Sequence, residues 1–145
     1  MPEPAQNIRE RSTELRQHVD QVRALADSVG TIPPSEIREG LDRIDSFVST
    51  RVLPHVSSLR EALGHGEDSQ LAVELAYLRT LADEVSWLRK KIGGRDMTVG
   101  TANAARRVLY GFYALLKLHF AKEDDVYLPR LGDAEHPAAA EQEAG

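Results

Sequence analysis

Residues 99–131 read VGTANAARRVLYGFYALLKLHFAKEDDVYLPRL, and this stretch decides the fold. Leu109, Phe112, Leu116, His119, Glu123 and Val126 or Tyr127 recur at three- and four-residue spacing, the period of one helical face. Two members of that stripe, His119 and Glu123, are polar where an apolar residue is expected. They are spaced i, i+4, so they project from one face one turn apart. A buried polar group without a partner costs about 1–3 kcal/mol, so both need partners inside the protein.

Three further stripes precede this one. Leu15, His18, Val22, Leu25 and Val29 mark a first helix over about residues 6–29, with Gly30 as its C-cap. After the turn Ile32-Pro33-Pro34-Ser35, the stripe Leu41, Ile44, Val48, Val52, His55, Leu59, Leu63 marks a second helix, which Gly64-His65-Gly66 ends. Glu67 and Asp68 supply capping chemistry for a third, with Leu71, Leu75, Leu78, Leu81 or Ala82, Val85, Leu88 and Ile92 on its apolar side; Gly93-Gly94 stops it. No alternating strand pattern competes. Long helices joined by short turns bury their stripes most simply as an all-α, antiparallel up-down-up-down four-helix bundle. One domain is expected over residues 1–131, followed by a disordered tail, 132–145, rich in Ala, Glu and Pro.

Composition narrows the chemistry. The chain has 145 residues and no cysteine, which removes disulfides, thiolate metal sites and cysteine nucleophiles. Any metal must be held by nitrogen and oxygen. Eighteen Lys and Arg against 23 Asp and Glu give a net charge of −5, which argues against a nucleic-acid surface. The N-terminal residues show no basic segment followed by an apolar run, and no stretch approaches the ~18 apolar residues of a membrane span, so a cytoplasmic protein with no membrane partner is expected. Ser57 and Ser58 beside His55 have no oxyanion-type loop, and no nucleophile elbow occurs, so enzymatic readings fare poorly, although the question of an enzyme stays open.

His18 and His55 join His119 and Glu123 as polar residues on apolar stripes. Measured from the bundle end that holds the turn between the second and third helices, His18 lies about 12 residues deep, His55 about 9, His119 about 12 and Glu123 about 8, a spread of about one turn at ~1.5 Å per residue. Measured from the opposite turn, His18 is about 12 residues away but His55 about 20, so the reading takes Gly40 as a break and starts the packed part of the second helix near Leu41. Each residue also has a plainer reading. His18 suits a core histidine bonded to a carbonyl or to Glu14. Pro54, just before His55, either starts a helical segment or kinks the helix by freeing the Thr50 carbonyl. Glu123 suits a solvated acidic face with Asp124 and Asp125. His65 and His136 read as incidental, and Tyr77, Trp87, Tyr110 and Tyr113 as core and rim packing.

The string Leu118-His-Phe-Ala-Lys-Glu-Asp-Asp-Val-Tyr-Leu-Pro-Arg-Leu131 resembles the last-helix signature of the hemerythrin-like cation-binding family, and Val108-Leu-Tyr-Gly-Phe112 is similar too. The family's first- and second-helix histidines match His18, in His-Val-Asp-Gln-Val-Arg-Ala-Leu, and His55, in Val-Leu-Pro-His. The resemblance covers about residues 10–131. It implies a four-helix bundle around a non-haem iron centre that binds a small diatomic ligand such as oxygen or nitric oxide, senses redox state or iron, or stores iron. The ligands it implies are His18, His55, His119 and Glu123, with Asp124 as a second carboxylate.

The chain departs from the family pattern at three positions. Leu59 stands four residues after His55 where a glutamate is usual, Leu75 replaces the third-helix histidine, and Tyr113 stands where some members have a further histidine. The resemblance implies iron, the missing positions make one ion expected more readily than a pair, and zinc is an alternative for three nitrogens and one oxygen, since the ligands alone do not fix the metal. The rival reading is a metal-free, degenerate bundle serving as an interaction or structural protein. A homodimer is compatible with either.

Overall fold

The computed structural model describes residues 3–64, 68–92 and 96–135. Four helical rods form an all-α bundle, and no strand occurs among the described residues. The first rod is α1 (Ala5–Arg16) and α2 (Val19–Ser28); the second is α3 (Pro34–Phe47), a π-helical turn (Val48–Val52) and α4 (Leu53–Leu63). The third is α5 (Asp68–Lys91). The fourth is α6 (Val99–Lys122), a second π-helical turn (Glu123–Tyr127) and α7 (Leu128–Glu135). The opening half of the first rod packs on α4 and α7, and its closing half on α3 and α6, while α5 lies against α3, α4 and α6. No helix among the described residues is long and apolar enough to cross a membrane.

The core follows the apolar stripes with one shift of register. In the first rod Ala5, Ile8, Ser12, Leu15, Val19, Val22, Ala26 and Val29 are buried at alternating steps of three and four, with Leu25 buried beside them. The step after Leu15 goes to Val19, not His18. At Gln17 and His18 the helix tightens into i−3 bonds, from Gln17 N–H to Glu14 O and from His18 N–H to Leu15 O, and the rod divides there. The expectation of one continuous helix over 6–29 is corrected accordingly. His18 ends up half-buried beside the stripe, not on it.

Gly40 is a second correction. It does not break the second rod, because α3 runs through it from Pro34 to Phe47. A Cβ there would stand 2.6 Å from Leu25 Cδ1, so the glycine lets α3 approach α2 closely. The interruption comes later, at the π-turn, and its cause lies in the next residues. Pro54 has no N–H, and its ring would crowd the carbonyl of Thr50 in a regular helix. The wider turn moves that carbonyl aside, with Leu53 N–H reaching back to Val48 O. The fourth rod repeats the device: Leu128 N–H bonds Glu123 O, and Pro129 follows.

Rod ends are capped as their residues suggest. Gly30 leaves α2 at φ 92°, and Thr98 Oγ1 accepts from Thr101 N–H at 3.0 Å to start α6. The capping expected of Glu67, the stop at Gly93-Gly94 and the Gly64-His65-Gly66 break fall wholly or partly outside the described residues. The fourth rod passes Leu131 and continues through Gly132 to Glu135, beyond the boundary expected at residue 131. The rest of the expected tail, 136–145, lies outside the described residues. Tyr77 and Trp87, expected to pack, are 61 % and 54 % exposed on α5.

Two glycines supply a paired test. Alanine at Gly30 meets both a left-handed backbone and Arg106, whose Nη2 stands 2.8 Å from the new Cβ, whereas Gly111 on α6 has nothing within 4 Å. Gly30→Ala is expected to lower stability by about 1–2 kcal/mol, and Gly111→Ala to raise it by up to ~1 kcal/mol through helix propensity. Urea denaturation followed by circular dichroism checks both signs.

Candidate metal centre

Three side chains from two rods meet in the core. His55 comes from α4, one residue after Pro54; His119 comes from the last turn of α6; Glu123 opens the second π-turn. All three are fully buried. His55 Nε2 lies 3.0 Å from each oxygen of the Glu123 carboxylate, and His119 Nε2 lies 2.5 Å from Glu123 Oε2. One donor atom from each residue falls within 4.8 Å of the others, as a shared cation would require.

The two histidines differ in their outer contacts. Arg11 Nε–H, from α1, donates to His55 Nδ1 at 3.0 Å, and the same guanidinium grips Glu3 with bonds of 2.6 and 2.8 Å. An arginine can only donate, so His55 Nδ1 accepts and the ring proton sits on Nε2, facing Glu123. His119 Nδ1 instead faces Glu74 Oε2 at 3.5 Å. Glu74, buried on α5, accepts from Tyr127 O–H at 3.0 Å and pairs with Lys122 Nζ at 3.3 Å. Neither ring nitrogen of His119 makes a hydrogen bond: its short approach to Glu123 is an ionic contact off the N–H axis.

These contacts shift the titrations. Burial by itself would lower the His119 pKa, but the Glu123 and Glu74 carboxylates outweigh it and raise it to about 9. Burial would raise Glu123, yet His119 and His55 pull it down to about 2. Glu74 is also lowered, because His119, Tyr127 and Lys122 together exceed its desolvation. Burial, followed by the Glu74 charge, raises the Tyr127 phenol. In the ion-free protein the centre is thus an imidazolium at His119 against a carboxylate at Glu123.

Of the residues expected at the site, the structure brings together His55, His119 and Glu123. His18 lies apart, in a groove between α2 and α3, with Gln21 Nε2 3.3 Å from its Nδ1 and Phe47 5.6 Å from its ring. Glu14, its expected partner, pairs with Arg51 instead. Asp124 points outward and forms a two-pronged bond with Arg16 at 2.9 and 2.7 Å. Leu59 and Leu75, the positions at which the resemblance would place two further ligands, are buried apolar residues.

Arg11, Glu74 and Tyr127 complete the surroundings, and the sequence reading gave them no role at the site. Glu74 left a signal, since it falls three residues after Leu71 and four before Leu78, on the buried side of α5. Arg11 left none, because it lies next to the stripe and its partner is 44 residues away. No family profile, curated protein or solved structure matches the chain.

The shifts predict a stability profile for the ion-free protein. His119 is raised above its ordinary value near 6.5, so its contribution is complete below that pH and is lost as pH rises through about 9. Glu123 is lowered from 4.5, so its contribution is complete above 4.5 and is lost as pH falls toward 2. The His119–Glu123 contact enters both shifts, with Glu74 adding to the first and His55 to the second. Stability should therefore form a plateau between pH 4.5 and 6.5 with a decline on the alkaline side, and His119→Leu should remove that decline. Denaturant unfolding across pH 3–10 measures it.

Proposed function

We propose that the chain is a hemerythrin-like bundle that holds a single divalent transition-metal ion at His55, His119 and Glu123. The carrying observation is the convergence of two imidazoles and one carboxylate in a fully buried centre where both nitrogens of His119 have no hydrogen bond. Buried polar atoms of this kind are rare in stable cores and call for an explanation such as an ion. The donor set fits: two histidines and one carboxylate are the ligands typical of ferrous sites with open positions, and they also suit zinc. Glu74 stands behind His119 as the carboxylate that orients a ligating imidazole. The two π-turns beside the cluster add support, since such turns gather at functional sites.

When bound, iron at such a centre would supply a redox-active site with positions open to a small diatomic molecule. The protein's own groups hold the ion, exclude water and fix the imidazoles. The role that fits this reading is sensing or handling of metal, redox state or a diatomic ligand. Two donors fewer than the implied set, His18 and Asp124, leave too few ligands for a pair of irons.

One observation favours the rival, metal-free reading. Glu3 pairs with Arg11, Glu123 with His119 and Glu74 with Lys122, and His55 bridges Arg11 and Glu123, so the charges of the cluster are matched without an ion. Anaerobic titration of the purified protein with Fe(II), and separately with Zn(II), distinguishes the two. The expected result is one ion per chain and a rise in melting temperature equivalent to about 2.7 kcal/mol at a hundredfold excess over Kd, both lost in Glu123→Gln. Melting curves that ignore both metals would establish the metal-free bundle. Two irons per chain would refute the single-ion site.

A further inference from the structure

The two candidate ligand histidines carry outer partners of opposite polarity. A ligating imidazole ordinarily donates its second N–H to a carboxylate or carbonyl, and His119 faces Glu74 in that sense. His55 is reversed. Its Nδ1 accepts from Arg11, so Nε2, the nitrogen that would bind, carries a proton directed at Glu123. For Nε2 to coordinate, the proton must move to Nδ1, where it would meet the Arg11 N–H head on. Two donors cannot share that contact.

We propose that Arg11 is a latch on the centre: an ion binds through His55 only when Arg11 releases Nδ1, so occupancy of the core is coupled to release of the contact among Glu3, Arg11 and His55 on α1. This rests on the single-ion reading above. The placement of the groups supports it. Arg11 and Glu3 are 29 % and 26 % exposed, so the guanidinium can turn to solvent without leaving a charge stranded in the core. Glu3 holds it in the closed position by two short bonds, and it stands just before α1, where the chain has no helical bonds of its own to break. The latched state also sets a guanidinium charge on the far side of the imidazole from the incoming cation. Releasing it removes a repulsion as well as a misplaced donor. The occupant's arrival is thereby transmitted from a sealed core to an accessible segment of the surface.

The test uses the full-length protein, Arg11→Met and Glu3→Gln. In ion-free wild type, two-bond proton–nitrogen NMR correlations should show the His55 proton on Nε2. Competition against a chromophoric chelator should give Arg11→Met a Zn(II) affinity about 10-fold or more above wild type, with Glu3→Gln changed in the same direction by less. Saturating wild type with Zn(II) should move the His55 proton to Nδ1 and speed tryptic cleavage after Arg11. Equal or weaker binding by Arg11→Met, or a proton on His55 Nδ1 in the ion-free protein, overturns the latch while leaving the metal site intact. Failure of wild type and both variants to bind Zn(II), with the His55 proton on Nε2, overturns the metal reading itself and the latch with it.

Discussion

The buried polar cluster of this bundle depends on one carboxylate, that of Glu123, held in a centre without exposure to solvent. An ionised carboxylate cannot stay there unless positive charge or strong donors surround it. His55 and His119 do so from two rods, and each needs its own outer partner in turn. Arg11 with Glu3 serves one, and Glu74 with Tyr127 and Lys122 serves the other. The demand of a single buried charge thus recruits residues from all four rods, since Arg11 lies in the first and Glu74 in the third.

The backbone accommodates the cluster by the same device twice. In each of the second and fourth rods a Leu-Pro pair follows a π-turn: Val48–Val52 precedes Leu53-Pro54, and Glu123–Tyr127 precedes Leu128-Pro129. The proline would clash in a regular helix, and the wider turn relieves it. His55 directly follows one of these prolines, and Glu123 begins the other π-turn. The donors are therefore set where the helices are already irregular and where neighbouring side chains over-determine the local path.

The helical architecture was legible because stripes at helical spacing are long and apolar. His119 and Glu123 were legible because their i, i+4 relation is local and both replace apolar residues on a stripe. His55 was legible by its place between Val52 and Leu59. His18 was misjudged because two registers fit its neighbourhood equally: Val19 is as well spaced from Leu15 and Val22 as His18 is, and the apolar side chain is the one that buries. The depth mismatch between His18 and His55 was a real signal of this, and attributing it to a break at Gly40 hid it. Arg11 acts through His55, 44 residues away, and pairing of that kind leaves no spacing to read, whereas Glu74 left its place on the buried side of α5 as a signal that went unused. Trp87 and Tyr77 were assigned to packing by residue type, whereas their positions on α5 face solvent.

The central claim is that two imidazoles and one carboxylate, and no third histidine, form a single-ion centre. X-ray absorption of the Co(II)-loaded protein tests this most directly, because scattering from imidazole rings counts the histidines around the ion. The account predicts a nitrogen and oxygen shell with two imidazoles, reduced to one in His119→Leu and unchanged in His18→Leu. A shell of oxygen alone, or loss of an imidazole in His18→Leu, would contradict it.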